Sequence, residues 1–308
     1  MHSNSSRFTK RFLPAIGSGL LLLPFLIYGS LQSQRPPRTD ATQALFQGIT
    51  YQRQVRSTPR PQVIHIIAID LNTPGIRAFV TPAKSTAREA KTEARTTSEF
   101  VKEFELQLAV NASYFSPFYE KTPWDYYPRR GQRVNPIGQV ISNGHEYSMS
   151  QANWPVLCFL ASRRIQILKS GICPEGTNQA IAGNEILVAE GASVVKPSVE
   201  DSRQPYARVA AGIDESGQKL WLVVIDGKQL HYSEGATRAE LANIIQALGA
   251  ETGLNLDGGG STTLAIATPS GSAVLNAPIH TKLPMRERPV ANHLGFYASP
   301  ASEVSGLD

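Results

Sequence analysis

Apolar and polar residues change rhythm several times along the chain, and each change marks a different kind of element. From Phe12 to Leu31 only Ser18 and Ser30 are strongly polar, and no Asp, Glu, Lys, Arg or His occurs between Arg11 and Arg35. Twenty such residues in a helix span about 30 Å, the thickness of a bilayer's hydrocarbon core. The following stretch, 32–61, carries Pro36, Pro37 and Pro59 among many Gln, Thr and Arg residues and reads as a tether, so folding is expected to begin near Gln62. Gln62–Leu71 and Ile76–Val80 are dense in β-branched residues around Asn72-Thr73-Pro74-Gly75, the composition of a hairpin. Arg88 to Glu105 is helix-prone, with Thr96-Thr97-Ser98-Glu99 as a capping box before Phe100, Val101 and Phe104. A strand over Leu106–Val110 is expected next. Asn111 to Gln139, rich in Tyr, Pro and Arg, then reads as a long surface loop of the kind that borders sites.

Short apolar runs at Trp154–Leu160, Arg164–Leu168, Glu185–Val188 and Val209–Ile213 predict further strands. The clearest unit follows. Leu220–Ile225 is a buried-strand run, and Thr237-x-x-Glu240 caps a helix whose Leu241, Ile244, Ile245 and Leu248 fall at i, i+3, i+4, i+7. Gly249 stands where a helix stops, Leu254-Asn255-Leu256 re-enters a sheet, and Thr262–Ala267 runs back after a glycine turn. Ala273–Leu275 and His293–Tyr297 complete the strands. Many strands and few helices predict one mixed α/β or α+β domain of mostly β-sheets over 62–300, with a strand–helix–strand unit near 220–256 and a tail at 301–308.

Charge refines the picture. The 308 residues carry a formal +5, but residues 1–40 hold +4 of it, so the remainder is nearly neutral and nucleic acid is not an expected partner. Arg7, Lys10 and Arg11 in the basic segment 1–11 precede the apolar run at 12–31, which places the amino terminus in the cytoplasm and the folded part across the membrane, in a periplasm or outside the cell. The run is read as an uncleaved anchor. The alternative is a cleaved signal segment and a secreted protein, which Pro24 suits but Gly29-Ser30-Leu31-Gln32-Ser33 matches poorly as a cleavage site. In an exported domain Cys158 and Cys173 either form a disulfide, stabilising by roughly 3 kcal/mol through closure of a loop of about 15 residues, or Cys158 packs as a core thiol. Residues 41–133 carry +5 and 134–308 carry −4. The loop cations Lys121, Arg129, Arg130 and Arg133 are therefore expected to lie over the glycine turn and attract an anion.

That turn, Asn255-Leu256-Asp257-Gly258-Gly259-Gly260-Ser261-Thr262-Thr263, is the most informative segment. Three successive glycines are costly to order, so they mark either a tight turn or close approach of a ligand. Their N–H groups can form an anion nest, with hydroxyls from Ser261 and Thr262 beside Asp257. No Lys completes a phosphate-binding loop, and no GxGxxG opens a helix. Asn111-Ala112-Ser113-Tyr114-Phe115 follows a strand, where Asn111 can bond a sugar and the aromatics stack on it, or the Asn forms an Asx turn. Arg208 is a candidate phosphate clamp and Arg203 a weaker one. Asp226, Glu234 and Glu120 are the options for a second carboxylate, since glycoside cleavage commonly uses two. Asp257, Asp226 and Glu234 would bind Mg or Ca if they cluster. The histidines lack metal spacing, and no GxSxG nucleophile elbow occurs.

Taken in order, Asn111–Phe115, Arg208-Val209-Ala210-Ala211-Gly212, Val224-Ile225-Asp226-Gly227-Lys228, Ser233-Glu234-Gly235-Ala236-Thr237, the Asp257–Thr263 block and Pro289-Val290-Ala291-Asn292 resemble the phosphodiester glycosidase domain family. The resemblance spans about Leu106 to Tyr297. It implies hydrolysis of a sugar-1-phosphodiester at the sugar C1–O bond, with Asp257 the main carboxylate and Asp226 a second. Gly258, Gly259, Gly260, Ser261, Thr262 and Arg208 would hold the phosphate, and Asn111 and Asn292 would orient the sugar. Where the family usually has Asn-Gly-Gly-Tyr/Phe-Phe, this chain has Ala112 and Ser113. That departure motivates a second reading, a non-catalytic module that binds phosphorylated glycan.

Overall fold

The structure, a computed structural model, describes residues 25–83, 92–196 and 205–301. Its largest sheet has eight strands, all paired antiparallel: Ala41–Phe46, Ile49–Arg56, Gln62–Asp70, Lys219–Ile225, Arg208–Ile213, Thr252–Leu256, Glu185–Ala189 and Ala192–Ser193 in spatial order. The central strands obey a period of two. Leu220, Leu222 and Val224 face one core, while Trp221, Val223 and Ile225 face another built on Leu241, Ala242, Ile244 and Ile245 of the helix Arg238–Ala247. Burying both faces explains why these strands read as continuous apolar runs.

A second, five-stranded sheet orders Gly271–Val274, Leu264–Thr268, Leu108–Asn111, His293–Tyr297 and Arg77–Val80. A third orders His145–Ser148, Val140–Ser142, Thr177–Ala182, Val156–Leu160 and Ile165–Leu168. Leu108, Val110, Leu294 and Phe296 of the second sheet and Leu157, Phe159 and Ile181 of the third meet the inner face of the large sheet in one core. The capping boxes Thr96/Glu99 and Thr237/Glu240 both form, and Gly249 takes φ +87° just past its helix. Cys158 and Cys173 are joined in a disulfide inside a small buried cluster.

Two expectations are corrected. The tether expected over 32–61 contains two strands, Ala41–Phe46 and Ile49–Arg56. Its prolines lie at the flanks, and Ile49 and Tyr51 are buried while Thr50 and Gln52 are exposed, the alternation of a one-sided strand. The segments around Asn72-Thr73-Pro74-Gly75 do not form a hairpin, because Gln62–Asp70 pairs within the large sheet and Arg77–Val80 pairs with His293–Tyr297 in the second. The strand–helix–strand unit is present, but Arg208–Ile213 lies between its two strands and pairs with both. Among the described residues no helix is long and apolar enough to cross a membrane. Most of the apolar run at 12–31 lies outside the described residues, as do Arg203 and most of the tail at 301–308; residues 25–33 are helical and expose Phe25, Leu26 and Ile27.

Candidate active site

The strand Thr252–Leu256 delivers Asp257 to the seam between the large and second sheets. There the Asp257 N–H donates to the Ala112 carbonyl (2.9 Å), just past the end of Leu108–Asn111. The chain then turns through a 3-10 segment, Gly259–Ser261, and enters the second sheet at Leu264. Space requires glycine at 258 and backbone angle with space at 259, while Gly260 abuts only a side chain that can shift. A Cβ at Gly258 would meet the Ala207 carbonyl oxygen at 2.5 Å, one at Gly259 (φ +63°) the Tyr206 ring at 2.5 Å, and one at Gly260 the Arg288 guanidinium at 2.4 Å.

Beside this turn lies a cavity of about 270 Å³. Tyr114, Phe115, Phe118 and Tyr206 give it aromatic walls, Arg208 and Arg288 supply cations, and Asp257 is the one carboxylate among the described residues that line it. Burial pushes the Asp257 carboxyl up to about 6, against the opposing effects of a Ser261 hydrogen bond, the Arg288 charge and the Gly258 N–H. The same burial, with the Asp257 charge, raises the Tyr114 phenol, whose oxygen accepts from Asn255 Nδ2 at 3.1 Å.

Arg288 organises the far wall. Its guanidinium donates to Ser261 Oγ (3.2 Å), His280 Nδ1 (3.3 Å) and Glu120 Oε2 (2.5 Å), and lies 4.4 Å from the Phe118 ring centroid. The neighbouring His280, then Arg288, hold the Glu120 carboxyl down at about 2 against the effect of its own burial. Arg208 donates from Nε to the Ala236 carbonyl at 3.0 Å and has its guanidinium 5.7 Å from the Tyr206 ring centroid.

The other expected site residues sit behind the turn. Asn111 is buried, donates from Nδ2 to the Asp257 carbonyl (2.6 Å) and accepts the Thr263 N–H (3.0 Å), so it staples the two ends of the glycine segment. Asn292 accepts the Ser113 N–H at 2.9 Å and donates to the Ser113 hydroxyl at 3.2 Å, which occupies both ends of its amide. Neither lines the cavity, and neither do Ala112 and Ser113. Asp226 accepts from Asn276 Nδ2 and the Ala277 N–H, both at 2.9 Å, and lies 3.0 Å from His65 Nε2, with no exposed side-chain surface. It and Glu234 are absent from the cavity wall, and among the described residues no three His, Cys, Asp or Glu side chains group as a metal site. The glycine nest is also largely spent: the N–H groups of Gly259, Ser261 and Thr262 donate to Ala207, Gly258 and Gly259 carbonyls. Thr262 buries its hydroxyl without a partner.

The expected cationic loop approaches the cavity through different residues. Phe115 and Phe118 reach the wall and Glu120 contacts the lining Arg288, but the four cations do not line the cavity. Lys121 pairs with Asp125 at 3.8 Å, Arg130 pairs with Glu99 at 3.0 Å, Arg129 lies over Tyr126, and Arg133 stands opposite Glu93 in its ladder. Sequence reasoning missed Arg288, Tyr206 and Phe118. Arg288 sits directly before Pro289-Val290-Ala291-Asn292, so the motif pointed one residue past a cation that lines the cavity.

The sequence profile of phosphodiester glycosidases matches residues 104–297. The chain belongs to the phosphodiester glycosidase family, a family of hydrolases. The profile covers well over half the chain and includes the Asp257 turn, the aromatics and both cavity arginines. The fold is similar to that of a Synechocystis protein of hypothetical status (TM-score 0.62, 17% identity), covering 86% of this chain and 64% of that one, just under two-thirds of its length. It is also similar to the zebrafish N-acetylglucosamine-1-phosphodiester alpha-N-acetylglucosaminidase catalytic domain auto-inhibited by its pro-peptide (TM-score 0.55, 17% identity, 88% of this chain and 93% of that one). A Burkholderia pseudomallei protein provisionally named as exported shares the fold at TM-score 0.53 and 15% identity, over 79% and 75% of the two chains. No curated protein matches the sequence.

Proposed function

We propose that this protein hydrolyses a sugar-1-phosphodiester at the C1–O bond, releasing the sugar and a phosphomonoester. The observation that carries the reading is a cavity with one carboxylate, two arginines and four aromatic rings. A phosphate leaving group departs as a stable anion, so little proton donation to it is needed, and a single carboxylate suffices where ordinary glycosides call for two. In this reading Arg208 and Arg288 hold the phosphate by charge-assisted hydrogen bonds, and the aromatic walls pack on the sugar. The ionised Asp257 faces the positive charge that develops at C1, and either attacks it or takes a proton from the attacking water. Water supplies OH to the sugar carbon, and the C1–O electron pair leaves with the phosphate. Asn111, Asn292 and Asp226 act as positioning residues.

Support for export comes from the disulfide, which persists in oxidising compartments, and from the basic residues that precede the apolar run. The competing binding-module reading rested on Ala112 and Ser113, which lie outside the cavity. The test is incubation with hexose-1-phosphodiesters and assay of both products. Equimolar sugar and phosphomonoester are expected; saturable binding with no product would replace the enzyme by the module.

A further inference from the structure

A second cavity, of about 250 Å³, shares no lining residue with the first. It opens between the edge strand Arg77–Val80 and the hairpin formed by Val156–Leu160 and Ile165–Leu168. Its floor is apolar and buried, with Ile76, Phe159 and Ile165, and its rim is exposed and cationic, with Arg77, Arg163 and Arg164. No Asp or Glu among the described residues lines it, although residues 134–308 carry a net −4. Arg163 and Arg164 come from that acidic part of the chain, so their place on the rim beside Arg77 does not follow a general surface trend.

The arginines are held ready by other groups. Arg164 donates from Nε to the Ser216 carbonyl at 3.1 Å, leaving its terminal nitrogens for a ligand. Arg77 lies 4.7 Å from the Tyr297 ring centroid, and the Tyr297 hydroxyl is anchored on the Phe104 carbonyl. Arg163 stands at the hairpin tip with φ +63°, where glycine would be the unstrained choice. Gln179 donates to Asn143 Oδ1 at 2.9 Å, which turns the Asn143 amide nitrogen toward other acceptors, and Asn178 adds a second exposed amide.

We propose that this cavity binds one anionic saccharide unit, its carboxylate or phosphate on Arg163 and Arg164 and its hydroxyls on the amides. The site is independent of the Asp257 reading and places a second contact for an acidic glycan on the enzyme. The test is ligand-observed NMR on the folded protein with galacturonate, glucose 6-phosphate and neutral glucose. Both anions should saturate and glucose should not. Response to one anion alone identifies which acidic group the site reads. Arg163→Gly should weaken binding by roughly tenfold or more, the loss of one charge-assisted contact, while raising Tm because the left-handed strain is relieved. Arg77→Ala should weaken it in the same direction, and Arg288→Ala in the other cavity should leave it unchanged. Equal binding of glucose, no saturable binding at all, wild-type affinity in Arg163→Gly, or a loss that follows Arg288→Ala would each overturn the proposal.

Discussion

Asp257 bears opposing demands on stability and chemistry. Its carboxyl is raised from 3.8 to about 6 by burial, so the folded protein holds a proton that the unfolded chain has released between those values. Below about pH 4 both states are protonated and there is no penalty. As pH rises through that window the unfolded state is favoured, reaching about 3 kcal/mol above pH 6 at 1.36 kcal/mol per unit. Asp257→Asn should therefore raise Tm at pH 7.5, by less than that limit because the Arg288 attraction is also lost, and give no gain at pH 4. The same variant should lower turnover by about 10³-fold, within the range typical of a positioned acid–base group. In the wild type, kcat/KM should rise with pH through an apparent value near 6, since the ionised form is the active one. A flat profile between pH 5 and 8 would remove Asp257 from that role. Arg288 offers a second residue-scale test: Arg288→Lys should not restore the KM lost in Arg288→Ala, because one ammonium cannot serve Ser261, His280, Glu120 and a phosphate together.

At the scale of elements, the glycine turn separates stability from chemistry. Gly258 faces backbone, so Gly258→Ala should cost about 2 kcal/mol or more, whereas the neighbour at Gly260 is the flexible Arg288 side chain. Gly260→Ala should be nearly neutral in denaturant melts and strongly raise KM, because the new methyl displaces the guanidinium. Equal losses of stability in the two variants would contradict this division. The elements also show what a sequence reveals. Both capping boxes, the helix at 238–247 and the strands that flank it were legible because their signals are local. The strands at 41–56 were hidden by flanking prolines, and the false hairpin at 72–75 arose because turn composition does not say whether the next strand stays in the same sheet. Asp257 and Arg208 were legible as candidates, and both line the cavity. Asn111 and Asn292 were visible as special positions, but an amide that binds backbone and one that binds sugar look alike until its partners are known.

For the whole molecule, three sheets meet around one core, and the seam between two of them holds the Asp257 cavity. Net charge proved a poor guide to which cations line the cavity: the four loop cations are engaged by Glu99, Asp125, Tyr126 and the ladder at Glu93, while the cavity takes its charge from arginines about 80 and 160 residues further along the chain. The central claim is the bond that breaks, and turnover in ¹⁸O-labelled water reads it directly. Attack at C1 predicts a phosphomonoester free of ¹⁸O, with the label entering the sugar. A phosphomonoester that carries ¹⁸O would mean attack at phosphorus and would contradict the assignment of this cavity as a glycosidase site.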